Sequence, residues 1–211
     1  MGKQEDMMKK HIFFAVFVVI IFSGTSLYAG QDHLDHFYVG VGGSYALEDF
    51  NNSPDIDNSW GVNAKIGYHT HPLLDIEFDF DYLNKFEYSD SYKLFGIGLE
   101  EEVDLEILTY MIALKGYFPI STEKVKLSTV VGAGLMYADL KYEISTSGLP
   151  YETSISGSDD ETDLCAKVGL GLDFFAFQDI SLGIEGNYTF GFGDLDDIRY
   201  FNFTIGAAYH F

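Results

Sequence analysis

From about residue 36 onward, apolar and polar positions alternate with a period of two, the spacing of a strand whose two faces meet different surroundings. The clearest case is 73–83, where Leu74, Ile76, Phe78, Phe80 and Tyr82 alternate with Asp75, Glu77, Asp79 and Asp81. Comparable stretches occur at about 36–46, 59–69, 105–118, 125–139, 163–174, 180–190 and 199–211, which makes eight predicted strands. The fourth is ambiguous in phase over its first residues. In the others the polar phase is mostly Gly, Ser, Thr, Asn and charged residues, and the apolar phase is aromatic or branched.

A soluble sandwich also alternates, with its apolar face inward. Two features favour a closed barrel in a membrane instead. The polar phase holds small residues suited to a narrow lumen; on a solvated face long Lys and Glu would dominate. The connections also alternate in length. Short turns are expected near His71-Pro72, Pro119 to Lys124 and Phe175 to Asp179, and long polar loops near 47–58, 84–104, 140–162 and 191–198. Short turns on one side and long loops on the other are the pattern of bacterial outer-membrane barrels, with both termini in the periplasm and the long loops outside.

The first 29 residues read as a signal peptide: Lys9 and Lys10, an unbroken apolar run from Ile12 to Phe22, then small residues up to Ala29. Glu5 and Asp6 are unusual there, and Met8 would be a cleaner start. Residues 30–35 form a short periplasmic segment and 36–211 the barrel. No later stretch has the 18 consecutive apolar residues of a membrane helix, so a membrane is crossed by strands. The composition agrees: 19 Phe, 15 Tyr and 22 Gly against 4 Pro exclude a disordered chain. With 12 Lys and Arg against 33 Asp and Glu, the net charge of -21 excludes nucleic acid as a partner. The single Cys165 excludes an internal disulfide.

On the signal peptide, the eight strands and the closing segment Phe203 to Phe211, the chain resembles the eight-stranded outer-membrane β-barrel family of the OmpA-transmembrane-domain and OmpX/Ail type. The resemblance implies an all-β, antiparallel, up-and-down transmembrane barrel in the cell outer membrane of a Gram-negative bacterium. It implies a terminal aromatic, Phe211, as the signal read by the barrel-assembly machinery, and contact with lipid and lipopolysaccharide. A monomer is expected.

Little of the chain points to catalysis. No helix pattern follows Gly40-Val41-Gly42-Gly43, so it is not a phosphate loop. Asp75, Glu77, Asp79 and Asp81 need partners inside a barrel. The pairing predicts an ion-pair network in which Lys65 meets Glu77 or Asp79, Lys115 faces the same column, and Lys167 approaches Glu185. His36, His69 and His210 share the inward phase of neighbouring strands at one end. They form either a polar floor or, with Asp75, a site for Zn²⁺ or a similar divalent cation. No other cofactor is expected. Two acidic clusters fall in predicted loops: Glu100, Glu101, Glu102 and Asp104, and Asp159, Asp160, Glu161 and Asp163. They would solvate the loops, or hold divalent cations against lipopolysaccharide phosphates or a calcium-dependent partner. The function expected is therefore non-enzymatic: envelope integrity, or surface interaction through acidic loops. The alternatives are a small pore or a conduit for a hydrophobic ligand, and after them a lipid-modifying enzyme.

Overall fold

The computed structural model describes residues 37–49, 57–94, 97–119, 122, 124–147, 153–177 and 179–211. The signal peptide, the segment 30–35 and His36 lie outside them. Eight strands follow in order: β1 (Phe37–Glu48), β2 (Ser59–His71), β3 (Leu74–Leu94), β4 (Ile97–Tyr117), β5 (Val125–Ser147), β6 (Thr153–Phe175), β7 (Ile180–Gly191) and β8 (Arg199–His210). Each pairs antiparallel with the next. β1 closes the ring against β8 in a register that runs from Tyr38↔His210 to Glu48↔Tyr200. Closure leaves no free edge around the ring, which is what a bilayer demands of strands.

The alternation sorts side chains as predicted. Ile112 and Ile205 are 64% and 67% exposed on the outer surface, while Asp75, Glu77 and Asp79 are 0% exposed inside. That sidedness suits lipid outside and is the reverse of a water-soluble protein. Phe37 against Tyr68, Tyr45 against Trp60 and Tyr209 against Phe211 form outward aromatic pairs near the barrel ends.

The strands are of two lengths. β1, β2, β7 and β8 have 12 or 13 residues, about what a tilted strand needs to cross a bilayer. β3 to β6 have 21 to 23. The predicted loops 84–104 and 140–162 are thus corrected: apart from 95–96 and 148–152, they are strand. The pairing continues from Phe86↔Leu105 to Leu94↔Ile97 and from Leu140↔Asp159 to Thr146↔Thr153. Backbone hydrogen bonding holds these extensions together although their composition is polar. A four-stranded sheet therefore stands above one side of the ring, at the end opposite to the termini. A bulge between Leu83 and Phe86 marks its base on β3.

The interior has two layers. The half towards the termini is ionic. The other half is an apolar plug of Leu83, Phe86, Ile107, Met111, Met136 and Tyr200, closed by Leu195 from a 3-10 turn at Gly193–Leu195. Cys165 is unpaired and buried in this plug. A cavity of about 40 Å³ among Gly40, Asn63, Lys65, Gly183, Glu185 and Gly206 has room for about one water.

Candidate functional site

The ionic layer is built by period-two placement on β2, β3, β4, β6 and β7. Lys65 lies opposite Asp79 in the β2–β3 register, yet its ammonium sits 3.0 Å from Glu185 and 3.9 and 4.0 Å from Glu77 and Asp79. Lys115 reaches Asp173 at 2.8 Å and Glu77 at 3.7 Å. Lys167 comes near enough to Glu185 for their charges to interact, but its direct ion pair is with Asp79, across the lumen at 2.7 Å. Asp81 accepts from the Asn63 amide at 2.8 Å. Asp173 and Tyr117 are partners that the sequence reasoning did not single out, although both hold the inward phase.

At the end of the barrel that carries the termini, Tyr38 lies across the floor. A Cβ on Gly67 would run into its ring, so glycine there makes the room. The Tyr38 hydroxyl donates to Glu77 at 2.5 Å and to Asp75 at 3.2 Å, and the Tyr117 hydroxyl donates to Asp75 at 2.7 Å. Asp75 also lies 2.6 Å from His69 Nδ1. His69 Nε2 is 3.4 Å from His210 Nδ1, and His210 Nε2 is 2.9 Å from Ser181 Oγ. One polarity serves this chain with both rings neutral: Ser181 donates to His210, His210 to His69, and His69 to Asp75. All four ring nitrogens are then engaged in hydrogen bonds. Among the described residues no three His, Cys, Asp or Glu side chains are arranged to hold a metal ion. His69, His210 and Asp75 are brought together, but as a hydrogen-bonded floor. Ser181 is buried inside the barrel and does not face lipid.

The acidic clusters lie on strands of the raised sheet and not in loops, and the register divides them between its faces. Asp104, Glu102 and Glu100 share the outer face with Lys141, Glu143 and Ser145. Asp160 joins this face opposite Asp139. Asp159, Glu161 and Asp163 take the inner face opposite Leu140, Ala138 and Met136, and Glu101 takes it opposite Ile144. Asp163 is structural: its carboxylate accepts the Leu164 amide at 2.7 Å and the Asp194 amide at 3.0 Å, beside the left-handed Gly193 (φ 61°). Asp104 pairs with Lys85. That hydrogen bond, with the carboxylate's charge, holds the Lys85 ammonium above its ordinary pKa. Lys141 is raised likewise by hydrogen bonds to Asp139 and Glu106, 3.0 and 3.3 Å away. Phe211 is exposed, and its amide donates to the Phe37 carbonyl at 2.9 Å, which ties the last residue to β1.

Comparison with known proteins agrees with this architecture. Solved structures with the same fold include Ail, the attachment invasion locus protein of Yersinia pestis, at 18% identity and a TM-score of 0.52, covering 83% of this chain and 98% of that one. Neisserial surface protein A matches at 12% identity and a TM-score of 0.55, covering 83% and 97%. A major outer membrane protein of Thermus thermophilus matches at 11% and 0.53, covering 82% and 99%. No curated protein sequence matches the chain. The family model described as the outer membrane protein beta-barrel domain matches residues 15–211, and the chain therefore belongs to the outer-membrane β-barrel family.

Proposed function

We propose that this is a non-enzymatic surface-interaction protein, in which a filled barrel in the outer membrane anchors a raised acidic sheet outside the cell. The observation that carries the reading is the unequal strand length. Strands β3 to β6 run about ten residues beyond the 12 or 13 that suffice on the other side of the ring. On this reading the termini and the histidine floor face the periplasm, residues 1–29 direct export, and Phe211 is the residue that the assembly machinery reads.

The interior supports an anchor over a pore. The ion pairs fill the half towards the termini and the apolar plug closes the other, and eight strands leave room only for side chains. No serine–histidine pair among the described residues faces the lipid to attack an acyl chain; the Ser181–His210 pair is spent inside the floor.

The sheet's outer face continues upward from the lipid-facing surface, so Glu100, Glu102, Asp104, Glu143 and Asp160 stand over the headgroups beside the barrel. Carboxylates there suit a layer of lipopolysaccharide phosphates cross-linked by Mg²⁺ or Ca²⁺. Ail has been solved in complex with the heparin analogue sucrose octasulfate. A net charge of -21 and an acidic sheet repel a polyanion, so a sulfated sugar is not the ligand proposed here.

The test is a trimmed variant in which 87–103 and 141–158 are each replaced by a short turn. It should still fold and insert, show no unitary conductance in planar bilayers, and lose the wild type's calcium-dependent binding to lipopolysaccharide and its adhesion to matrix proteins. Binding undiminished by trimming, or stepwise conductance from the wild type, would overturn the reading.

A further inference from the structure

The histidine floor lies where the ring closes, and it spans the closing seam. β1 stands between β8 and β2: Tyr38 pairs with His210 on one side and with Gly67 on the other. His69 and His210 are thus on strands that do not pair with each other. Both point inward and meet over Tyr38, whose ring lies 5.1 Å from each of theirs. The two imidazoles are nearly parallel, 9° apart, with His69 Nε2 3.4 Å from His210 Nδ1. Few backbone bonds hold this end of β8. The His210 amide donates to the Asp179 carbonyl at 2.8 Å and the Phe211 amide to the Phe37 carbonyl at 2.9 Å. The imidazole pair therefore acts as a strap from β8 to β2 across the first strand. Its ends are anchored by Ser181 on β7 and Asp75 on β3.

The strap has two proton states that keep all of its bonds. With both rings neutral, the hydrogens run from Ser181 towards Asp75. With one proton more, His69 donates both to Asp75 and to His210 Nδ1, and His210 Nε2 donates to Ser181, whose hydroxyl turns to the small cavity that it lines. Asp75 shows where that proton belongs. Its carboxylate is fully buried, and among the described residues no lysine pairs with it. Lys65 is taken by Glu185, Glu77 and Asp79, and Lys115 by Asp173 and Glu77. A buried carboxylate needs a cation beside it, and a protonated His69 at 2.6 Å supplies one. His210 faces positive charge instead. The Phe175 ring, 5.2 Å from it, carries the Lys126 ammonium at 4.7 Å, and Lys115 is near enough for its charge to act. A second proton has no comparable place. It would set N–H against N–H across 3.4 Å and two cationic rings side by side, next to those lysines. We infer that His69 and His210 form a proton-counting latch on the barrel seam, closed with no proton or one on the pair and opened by the second, which releases the end of β8 from β2. The latch answers to acidity at the end of the barrel that carries the termini, and it is independent of what the raised sheet binds.

The experiment uses the full barrel in lipid nanodiscs with nitrogen-15 histidine, and follows ring nitrogens and backbone amides by NMR as the sample is acidified through and below the histidine range, roughly pH 8 to pH 4. At the alkaline end both rings should carry their hydrogen on Nδ1. The first proton should move the signals of both rings together with one common midpoint, because the two rings share it. Exchange protection of the His210 and Phe211 amides should hold through that step and fall at least about tenfold through the second. His69→Gln and His210→Gln each remove the second cation while leaving every buried carboxylate in place, and that fall should be absent from both. Tautomers and midpoint are read on unaltered protein, which keeps the test intact if neither variant folds. Hydrogen on Nε2 of His69 at the alkaline end, or separate midpoints for the two rings, would overturn the inference. So would full seam protection with both rings cationic. An equal loss of protection in the glutamine variants would overturn it in favour of carboxylate protonation.

Discussion

Within β3, β4 and β5, the lower and upper halves of the same strands have opposite sidedness. In the lower half of β4, Leu114, Ile112, Tyr110 and Leu108 face out, while Lys115, Ala113 and Thr109 face in. In the upper half, Glu106, Asp104 and Glu102 face out, while Ile107, Leu105 and Val103 face in. β3 changes over at its bulge, from inward Asp79 and Asp81 to inward Leu83 and Phe86. The backbone is the same ladder throughout. What changes is the surroundings: hydrocarbon outside the lower half and water outside the upper half. Apolar side chains go outward where lipid receives them and inward where the only dry place is over the plug. Polarity inversion along a strand therefore marks where the membrane ends.

The comparison can be broken from either half. The largest effect is expected from the ionic layer. Lys167→Ala leaves Asp79 buried with only the 4.0 Å contact to Lys65, and should cost about 3–5 kcal/mol in urea unfolding from lipid vesicles. Lys65→Ala should behave alike. A loss below about 1 kcal/mol for either would mean that the layer is hydrated. Next comes the plug: Ile107→Ala, at a fully buried site, should cost about 2–5 kcal/mol and leave a void. A neutral result would contradict packing of the upper interior. Ile112→Lys, in the outward set of the lower half, should cost about 2–4 kcal/mol. Glu102→Lys keeps the outward phase further up the same strand and should leave the unfolding midpoint where it was. Equal penalties would place both positions in lipid. The smallest effect is Lys85→Ala: the pair with Asp104 is half-exposed on the outer face of the raised sheet, and the unfolding free energy should move by less than about 1 kcal/mol.

The sequence was legible where one environment held along a strand. Eight strands and their inward and outward phases followed from period-two alternation in 73–83 and its counterparts, and the closed ring from the small residues of the polar phase. The raised sheet was not legible, because a strand that inverts its polarity midway looks like a strand followed by a polar loop. The ambiguous phase at the start of β4, with Leu105, Ile107 and Leu108 close together, is that inversion seen without its cause. The contents of the lumen could be read from phase, but their pairing could not. Adjacent-strand register places Lys167 beside Thr189, yet its ammonium spans the interior to Asp79. Which residues meet across the barrel depends on its shear, which local patterning does not carry. The histidines illustrate the same limit. Their common end was evident, but their engagement by Asp75 and Ser181 arises only when β2, β3, β7 and β8 are brought together.

The central claim, that β4 continues unbroken out of the membrane with its sidedness inverted, is tested most directly by spin labels placed singly from 100 to 114 in lipid-reconstituted protein. The account predicts a period of two in mobility and accessibility along the whole stretch. Collisions with oxygen should dominate at 108, 110, 112 and 114, and collisions with a water-soluble nickel chelate at 100, 102, 104 and 106. Uniformly mobile labels with no alternation from 100 to 106 would contradict it, and the upper half would then be loop.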